Sequence, residues 1–528
     1  MQRKSSIFGL GFFFAISFCV TAMASEKEGS SLVPYLQEPK SDSITINWDA
    51  PESVDSVVYY GTTPSLGKSQ SGDANIFSPS NVWHCVQLTG LQPDTPYYYR
   101  CKSGDRVSKL NVFRTFPADN ISTGHLRVCV YGDSRSNPKR HSAVIRAIRE
   151  TVEKKYGSDV QNQLRLVINV GDIVSWGTNL QDYVPEYFMP VSILSSNVPF
   201  MVCTGNHEAE NSYYYDFMNF EGFGGPEGEK YYSFRLGPIL FLAFNSNTMG
   251  QGQLDWFKGL LEAAQSNDSI DWIIAFSHHP GHTELWPDGN HGWVQNCIIP
   301  LLAQYNKVCC LAYGHDHCLA FGAHPDAPIR LLLSGGGGAW IDPWGTYTNQ
   351  QDYAEVYKTL DDFGYTLFDF DLPAQRYTAT TYSLGNLKRP LENVQVDQFT
   401  QKRINTAPPK TPKAVSPSGE TALPVVLKAS SYVGTEPLMS SHFQITKTLG
   451  DYSKPILDVR RDRENVYGDT GAPNYDPIDL NAGIDLTRLS VTNGLSAGQT
   501  YGWRVRYRDE NLIWSEWSSE EKFSILNP

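Results

Sequence analysis

Five short segments of the chain gather oxygen and imidazole donors: Gly132-Asp133-Ser134-Arg135, Gly171-Asp172, Gly205-Asn206-His207-Glu208, His278-His279-Pro280 and Gly314-His315-Asp316-His317. Carboxylate, amide oxygen and neutral imidazole together suit hard or borderline divalent metals, and no thiolate accompanies them. Asp172 has two carboxylate oxygens and could bridge two ions. Asp133 and His317 would then complete the protein ligands of one ion, and Asn206, His278 and His315 those of the other.

Donors this far apart in sequence need a scaffold that brings them together. Each segment sits just after a strand expected from short apolar runs, at 126–131, 164–170, 198–203, 272–276 and 308–312. Helical patterns lie between the strands at 142–155, 253–264 and 293–304, and strands alternating with helices indicate a layered α/β domain. In open α/β sheets the carboxyl ends of the strands form the ligand crevice, so the five segments should converge there. Later strands near 330–333 and 364–370 should close the domain, which is expected to end near Pro390. The glycine run at 335–338 lacks the Lys-Ser/Thr ending of a phosphate-binding P-loop and reads as a tight turn beside the cleft.

Both flanks read as β-structure. From 32 to 117 short strands recur between Gly and Pro turns, and Ile44, Ile46 and Trp48 alternate with polar neighbours, which places one face inward. After a Pro-rich link at 408–417, Tyr501, Trp503, Val505 and Tyr507 alternate along one strand. The run Trp514-Ser515-Glu516-Trp517-Ser518 resembles the W-S-x-W-S signature of fibronectin-like receptor modules, with tryptophans and arginines expected to brace the sandwich. The acidic stretch 469–485 lacks EF-hand spacing and reads as a solvated loop.

All five motifs, in this order, resemble the calcineurin-like metallophosphoesterase superfamily, in particular its purple-acid-phosphatase branch with an N-terminal fibronectin-like domain. The resemblance implies an α/β fold: a layered metallophosphoesterase β-sandwich core at 125–390, flanked by fibronectin type III-like domains at 32–117 and 408–528. It assigns Asp133, Asp172, Asn206, His278, His315 and His317 to two divalent or mixed-valence ions (Zn, Fe or Mn), with Asp172 as the bridge. Two ions about 3.5–4 Å apart lower the pKa of a shared water, and the resulting hydroxide attacks phosphorus in line. His207 is implied as a substrate-facing histidine or proton donor.

This chain departs from the family pattern in two places. The first motif carries Arg135 where many calcineurin-like enzymes have histidine, and a guanidinium has no lone pair for a metal. The purple phosphatases instead supply a tyrosine three residues after the second aspartate, and here that position is Ser175. The first ion therefore has three obvious protein ligands, with water, Ser175 or another group completing it. Arg135 is read as a paired hydrogen-bond donor to phosphate, or alternatively as a salt bridge beside the site. His282 is either a further substrate contact or a polar loop residue; His279 and Glu208 are supporting residues, with solvent exposure the alternative for Glu208.

Composition limits the function classes. The 528 residues carry a formal charge of −13, which argues against a field that gathers nucleic acid. Residues 1–24 combine Arg3 and Lys4, an apolar run and Ala22-Met23-Ala24, the pattern of a secretory signal peptide, so a secreted or periplasmic location without a transmembrane segment is expected. Cleavage leaves eight cysteines, with Cys85 and Cys101 the best-placed disulfide pair. The expected function is an exported, acid-phosphatase-like hydrolase of small phosphate esters. The alternatives are a phosphodiesterase acting on a nucleotide or lipid headgroup, and a noncatalytic cell-surface module whose β domains meet a surface or protein partner.

Overall fold

The computed structural model describes residues 32–402, 406–468 and 475–527. The expected signal peptide lies outside these residues, as does Asp469 at the start of the acidic loop. No helix among the described residues is long and apolar enough to cross a membrane.

Two sheets face each other in the centre of the chain. One contains the parallel strands β1 (His125–Tyr131), β2 (Leu166–Asn169) and β3 (Phe200–Val202), in the order β3-β2-β1. It continues antiparallel from β1 through Phe363–Asp371 and Arg376–Gly385 to Pro390–Lys402. The sheet thus runs past Pro390, the expected end of the domain, because Pro390–Lys402 supplies its edge strand. The second sheet aligns β4 (Ile239–Ala243), β5 (Trp272–Phe276), β6 (Val308–Tyr313) and β7 (Arg330–Ser334) in parallel. Val128, Val130, Ile168, Phe241, Ile274 and Ala312 fill the space between the sheets. Buried on both faces, these strands read as continuous apolar runs in the sequence.

Helix α1 (Pro138–Tyr156) follows β1, with Asn137 as its N-cap accepting the Arg140 N–H and Val144, Ile145, Ile148 and Val152 as its buried stripe. Its first turn also buries His141, whose Nε2 lies 3.0 Å from the Tyr131 hydroxyl and whose Nδ1 lies 2.9 Å from Glu186 O. Burial lowers the His141 pKa to about 4. In the unfolded chain the ring takes up its proton near pH 6.5, so between these values the unfolded state binds more protons and stability falls as the pH drops. His141→Gln should abolish roughly 2 kcal/mol of that acid-linked loss between pH 7 and pH 4.5. Urea denaturation at both pH values measures it, and identical pH slopes in parent and variant would clear His141 of the effect.

The helix expected at 293–304 is instead a π-helical turn, Val294–Ile298, followed by a short α-helix, Ile299–Leu302. Pro300 has no N–H for the carbonyl four residues earlier and its ring crowds that carbonyl, which favours the wider turn.

The N-terminal strands form two sheets around Ile44, Ile46, Trp48, Val58, Val86, Tyr99 and Phe113. Thr45 and Asn47, expected to face water, are also buried. The outer face of that sheet is covered by the central region: Trp83 packs on Phe188 and Phe217, with ring centroids 4.4 and 5.0 Å apart. Cys101 points into the core, whereas Cys85, in the other sheet, is only partly buried, and both are free thiols. The expected disulfide is therefore not formed, because the two side chains belong to different sheets and environments.

Beyond 406 most strands again form two sheets, while Val466–Tyr467 and Ile478–Asp479 extend the second central sheet, and Tyr501, Trp503, Val505 and Tyr507 share the buried face expected of them. Arg504, Arg506 and Arg508 interleave with Trp514 and Trp517, with guanidinium-to-ring distances of 4.1–5.4 Å. This ladder also grips the central region: Trp514 Nε1 donates to Pro325 O, and Arg508 donates to the carbonyls of His324 and Ala327.

Candidate metal centre

The five donor segments leave the ends of β1, β2, β3, β5 and β6, and the ladders end almost flush, with Tyr131 beside Asn169 and Asn169 beside Val202. Three of the donor residues sit in the left-handed region: Asp133 at φ 56°, Asp172 at φ 55° and His315 at φ 74°. Each such conformation costs about 1–3 kcal/mol and persists only where its surroundings enforce it. Hydrogen bonds hold these turns. The Asp133 carboxylate accepts the His315 N–H at 3.0 Å, and Asp172 Oδ1 accepts the His207 N–H at 3.0 Å. A Cβ at Gly205 would overlap Asp172 Oδ1, and one at Gly335 would overlap Asp316 O. The glycine run thus lets the backbone pass close to the donor loops, as the sequence suggested.

Glu208 is fully buried and neither orients an imidazole nor faces solvent. It accepts the N–H groups of Gly205, Asp172 and Ile173 at 2.6, 2.9 and 2.8 Å, tying the third donor loop to the second. Burial and the nearby Asp172 charge push its pKa up to about 8 against those three hydrogen bonds.

The six expected ligands come together as two groups. In one, His278 Nε2 lies 3.0 Å from Asn206 Oδ1, 3.2 Å from His315 Nδ1 and 3.3 Å from Asp172 Oδ1. In the other, donor atoms of Asp133, Asp172 and His317 all lie within 4.8 Å of one another. Asp172 belongs to both. His278 Nδ1 and His317 Nδ1 lie 2.9 and 2.6 Å from the carbonyls of Val170 and Trp340, so these nitrogens carry the hydrogens. Each Nε2 then presents a lone pair to its group, the usual way a protein fixes a ligating histidine. Burial lowers the pKa of His278 and His317 and takes His315 to about 3, which keeps all three rings neutral. Burial opposes ionisation of Asp172, but the Arg135 charge and the hydrogen bond from the His207 N–H help hold the carboxyl below its usual range. Asp133 is pushed up by burial and by the Asp172 charge. The donor set fits divalent metal ions.

Arg135 lies across the Asp133 group. Its Nε donates to Asp172 Oδ2 at 3.2 Å, its Nη2 is 3.3 Å from His317 Nε2, and its Nη1 donates to Ser136 Oγ. His207 directs Nδ1 at Ser175 O, 2.7 Å away, while its Nε2 stands 3.9 Å from Asp172 Oδ2. His282 is engaged elsewhere: it pairs with Glu355 and stacks on Tyr353, and it makes no hydrogen bond or ring contact with the six donors. His279 bonds Ser246 Oγ through Nδ1, and its donor atoms also fall within 4.8 Å of those of His278 and His315.

Sequence reasoning missed Glu186. Its carboxylate accepts the Ser136 and Ser175 N–H groups at 3.1 and 2.6 Å and the Ser175 hydroxyl at 2.8 Å. Ser175, at the position of the family's tyrosine, is thereby held away from a ligand's role. The signal was Pro190: lacking an N–H, it cannot serve the Glu186 carbonyl, which takes His141 instead, and the chain forms a π-helix at Tyr183–Phe188. π-Bulges are frequent at functional sites.

Two family models match the chain: "Purple acid Phosphatase, N-terminal domain" over residues 31–115 and "Calcineurin-like phosphoesterase" over residues 126–319. Among curated relatives, purple acid phosphatase 15 of Arabidopsis thaliana is 28% identical over 342 residues, covering 54% of this chain and 62% of the relative. Human acid phosphatase type 7 is 29% identical over 269 residues, covering 47% and 57%. The chain thus spans about three fifths of the length of the relatives it matches. A solved structure of PhoD superposes with a TM-score of 0.54 at 15% identity, over 71% of this chain and 92% of that one, a likeness of fold alone. The flush strand ends, the paired donor groups and these matches agree: the chain carries a calcineurin-like phosphoesterase domain preceded by a purple acid phosphatase N-terminal domain, and its homologues are purple acid phosphatases.

Proposed function

We propose that the chain is an exported, metal-dependent hydrolase of small phosphate esters, acting on phosphomonoesters in preference to diesters. The observation that carries this reading is the pair of donor groups sharing Asp172 at the strand ends. Asp172, Asn206, His278 and His315 would hold one ion, and Asp133, Asp172 and His317 the other. Bound divalent ions there supply Lewis acidity and a water acidic enough to attack phosphorus near neutral pH.

The chain's own residues do the rest. The Arg135 guanidinium turns from Asp172 and His317 to the phosphoryl oxygens, forming charge-assisted hydrogen bonds as charge develops. His207, with Nδ1–H fixed on Ser175 O, would as the imidazolium pass its Nε2 proton to the leaving oxygen and be left as neutral imidazole. His282, held by Glu355, serves as a loop contact. Flanking domains at 32–117 and 408–528 of fibronectin type III-like identity, about a central domain that begins at 125 and includes the edge strand Pro390–Lys402, belong to the same reading.

The test compares p-nitrophenyl phosphate with its bis-ester, which share a leaving group, alongside metal analysis of the purified protein. About two ions per chain and at least tenfold higher kcat/KM for the monoester are expected, tenfold being about 1.4 kcal/mol of transition-state preference. The opposite preference would make the chain a phosphodiesterase. Two ions with turnover of neither ester would favour a binding module.

A further inference from the structure

Of the twelve tryptophans in the chain, only Trp176 and Trp340 are strongly exposed, at 67% and 65%. A large aromatic surface left in water is unfavourable, and exposed aromatics commonly mark binding sites. Both indoles adjoin the metal centre. Trp176 directly follows Ser175, whose carbonyl holds His207, and its ring centroid is 6.1 Å from that of His207. Trp340 gives its own carbonyl to His317 Nδ1.

Neither exposure comes from a loose loop. On either side of Trp176, the Ser175 N–H is held by Glu186 and the Gly177 N–H by His207 O at 2.8 Å. Beside Trp340, the Ala339 N–H donates to Asp133 O at 2.8 Å. Asp342 accepts the His317 N–H at 3.1 Å. The backbone therefore presents both rings in fixed positions. Between the residues they flank stands Arg135, which contacts Asp172 and His317.

We infer that Trp176 and Trp340 form an aromatic rim that stacks on the alcohol portion of the substrate, so that the centre selects phosphate esters of an alcohol that carries a planar aromatic group, a nucleoside foremost. The inference rests on the phosphoester-hydrolase reading for the reaction, but not for binding. A π-face is needed because the rim offers indole rings and no base-reading hydrogen-bond pattern, which also makes it tolerant of the base's identity. Stacking on the rim and phosphate contact at Arg135 act on the same substrate molecule, so leaving-group binding and phosphate orientation reinforce each other.

Two measurements test it on the metal-loaded protein. Calorimetry compares adenosine with ribose, neither of which can be hydrolysed. Kinetics compares adenosine 5′-monophosphate with ribose 5-phosphate, which leave the same primary alkoxide. Adenosine should bind at least about tenfold more tightly than ribose, and kcat/KM should favour the nucleotide by a similar factor. Trp176→Ala and Trp340→Ala should each shrink both ratios, the double variant should bring them towards one, and Trp→Phe at either position should restore most of the difference. N-Acetyltyrosinamide in parallel separates an aryl source from a nucleoside source by binding as well as adenosine, or not. Equal binding of adenosine and ribose, or ratios unmoved in the double variant, would overturn the rim. Adenosine bound through the tryptophans without turnover of either phosphate would keep the rim and sink the hydrolase reading; equal turnover of both phosphates without adenosine binding would do the reverse.

Discussion

Asp172→Asn should lower kcat/KM for any phosphate ester by about three orders of magnitude or more, and should leave less than one metal ion per chain after dialysis. The asparagine keeps the shape of the side chain and tolerates the left-handed backbone at φ 55°, so the fold should survive. What it removes is the one anionic group common to both donor sets. It also strips Arg135 of a carboxylate partner 3.2 Å away and leaves the buried loop without its compensating charge. Metal-assisted charge stabilisation contributes several kcal/mol, hence the expected size of the loss. Circular dichroism would confirm an unchanged fold, while metal analysis and kcat/KM report on the site. A variant that retains two ions and the parental rate would remove Asp172 from the shared position.

Arg135→Ala should separate metal binding from catalysis, by moving them in opposite directions. In the structure the guanidinium faces two of the three donors of the Asp133 group, Asp172 Oδ2 and His317 Nε2. An ion binding there must displace it and then remain near its positive charge. At about 4 Å and an effective dielectric near 20, a divalent ion and a unit positive charge repel by roughly 8 kcal/mol, much of which the arginine avoids by swinging away. The weaker of two metal-binding steps should therefore tighten at least tenfold in the variant, whereas the stronger step, at Asn206, His278 and His315, should hardly change. Over the same substitution kcat/KM should fall about a hundredfold, because hydrogen bonds to a charged phosphate are worth about 1.5–3 kcal/mol and Arg135 supplies the nearest pair. Metal titration followed by calorimetry and kinetics measures both effects. Weaker metal binding in the variant would show that Arg135 supports the centre rather than competing for it.

Much of this site is legible in the order of residues alone. The motif strands can be located because a strand buried on both faces must be an apolar run, and the donor segments follow those runs directly. The alternation of Tyr501, Trp503, Val505 and Tyr507 is equally readable, since period two is a local property. Where the sequence misleads, a distant element intervenes. Thr45 and Asn47 alternate as solvent-facing residues do, yet both are buried, in a sheet whose Trp83 packs on Phe188 and Phe217 of the central region. Cys85 and Cys101 flank a turn, yet their strands enter different sheets. Pro300 and Pro190 are visible, but whether a proline ends a helix or widens it into a π-turn depends on where the freed carbonyls find donors, and for Glu186 that donor is His141, 45 residues away.

The sequence by itself determined which donor atoms this protein can offer and that they stand at strand ends, because residue type and strand pattern are both encoded locally. Only the tertiary structure decided how those atoms are used. The Nε2 of His278 is left as a lone pair by a carbonyl 108 residues away, and Ser175 is withdrawn from ligation by Glu186. His282 is drawn off to Glu355 and Arg135 is laid across the Asp133 group. Ten of twelve tryptophans are wholly or partly covered, while two stay open beside the centre. Hydrogen-bond direction and exposure belong to pairs and neighbourhoods of residues, and those exist only once the two sheets have closed on each other.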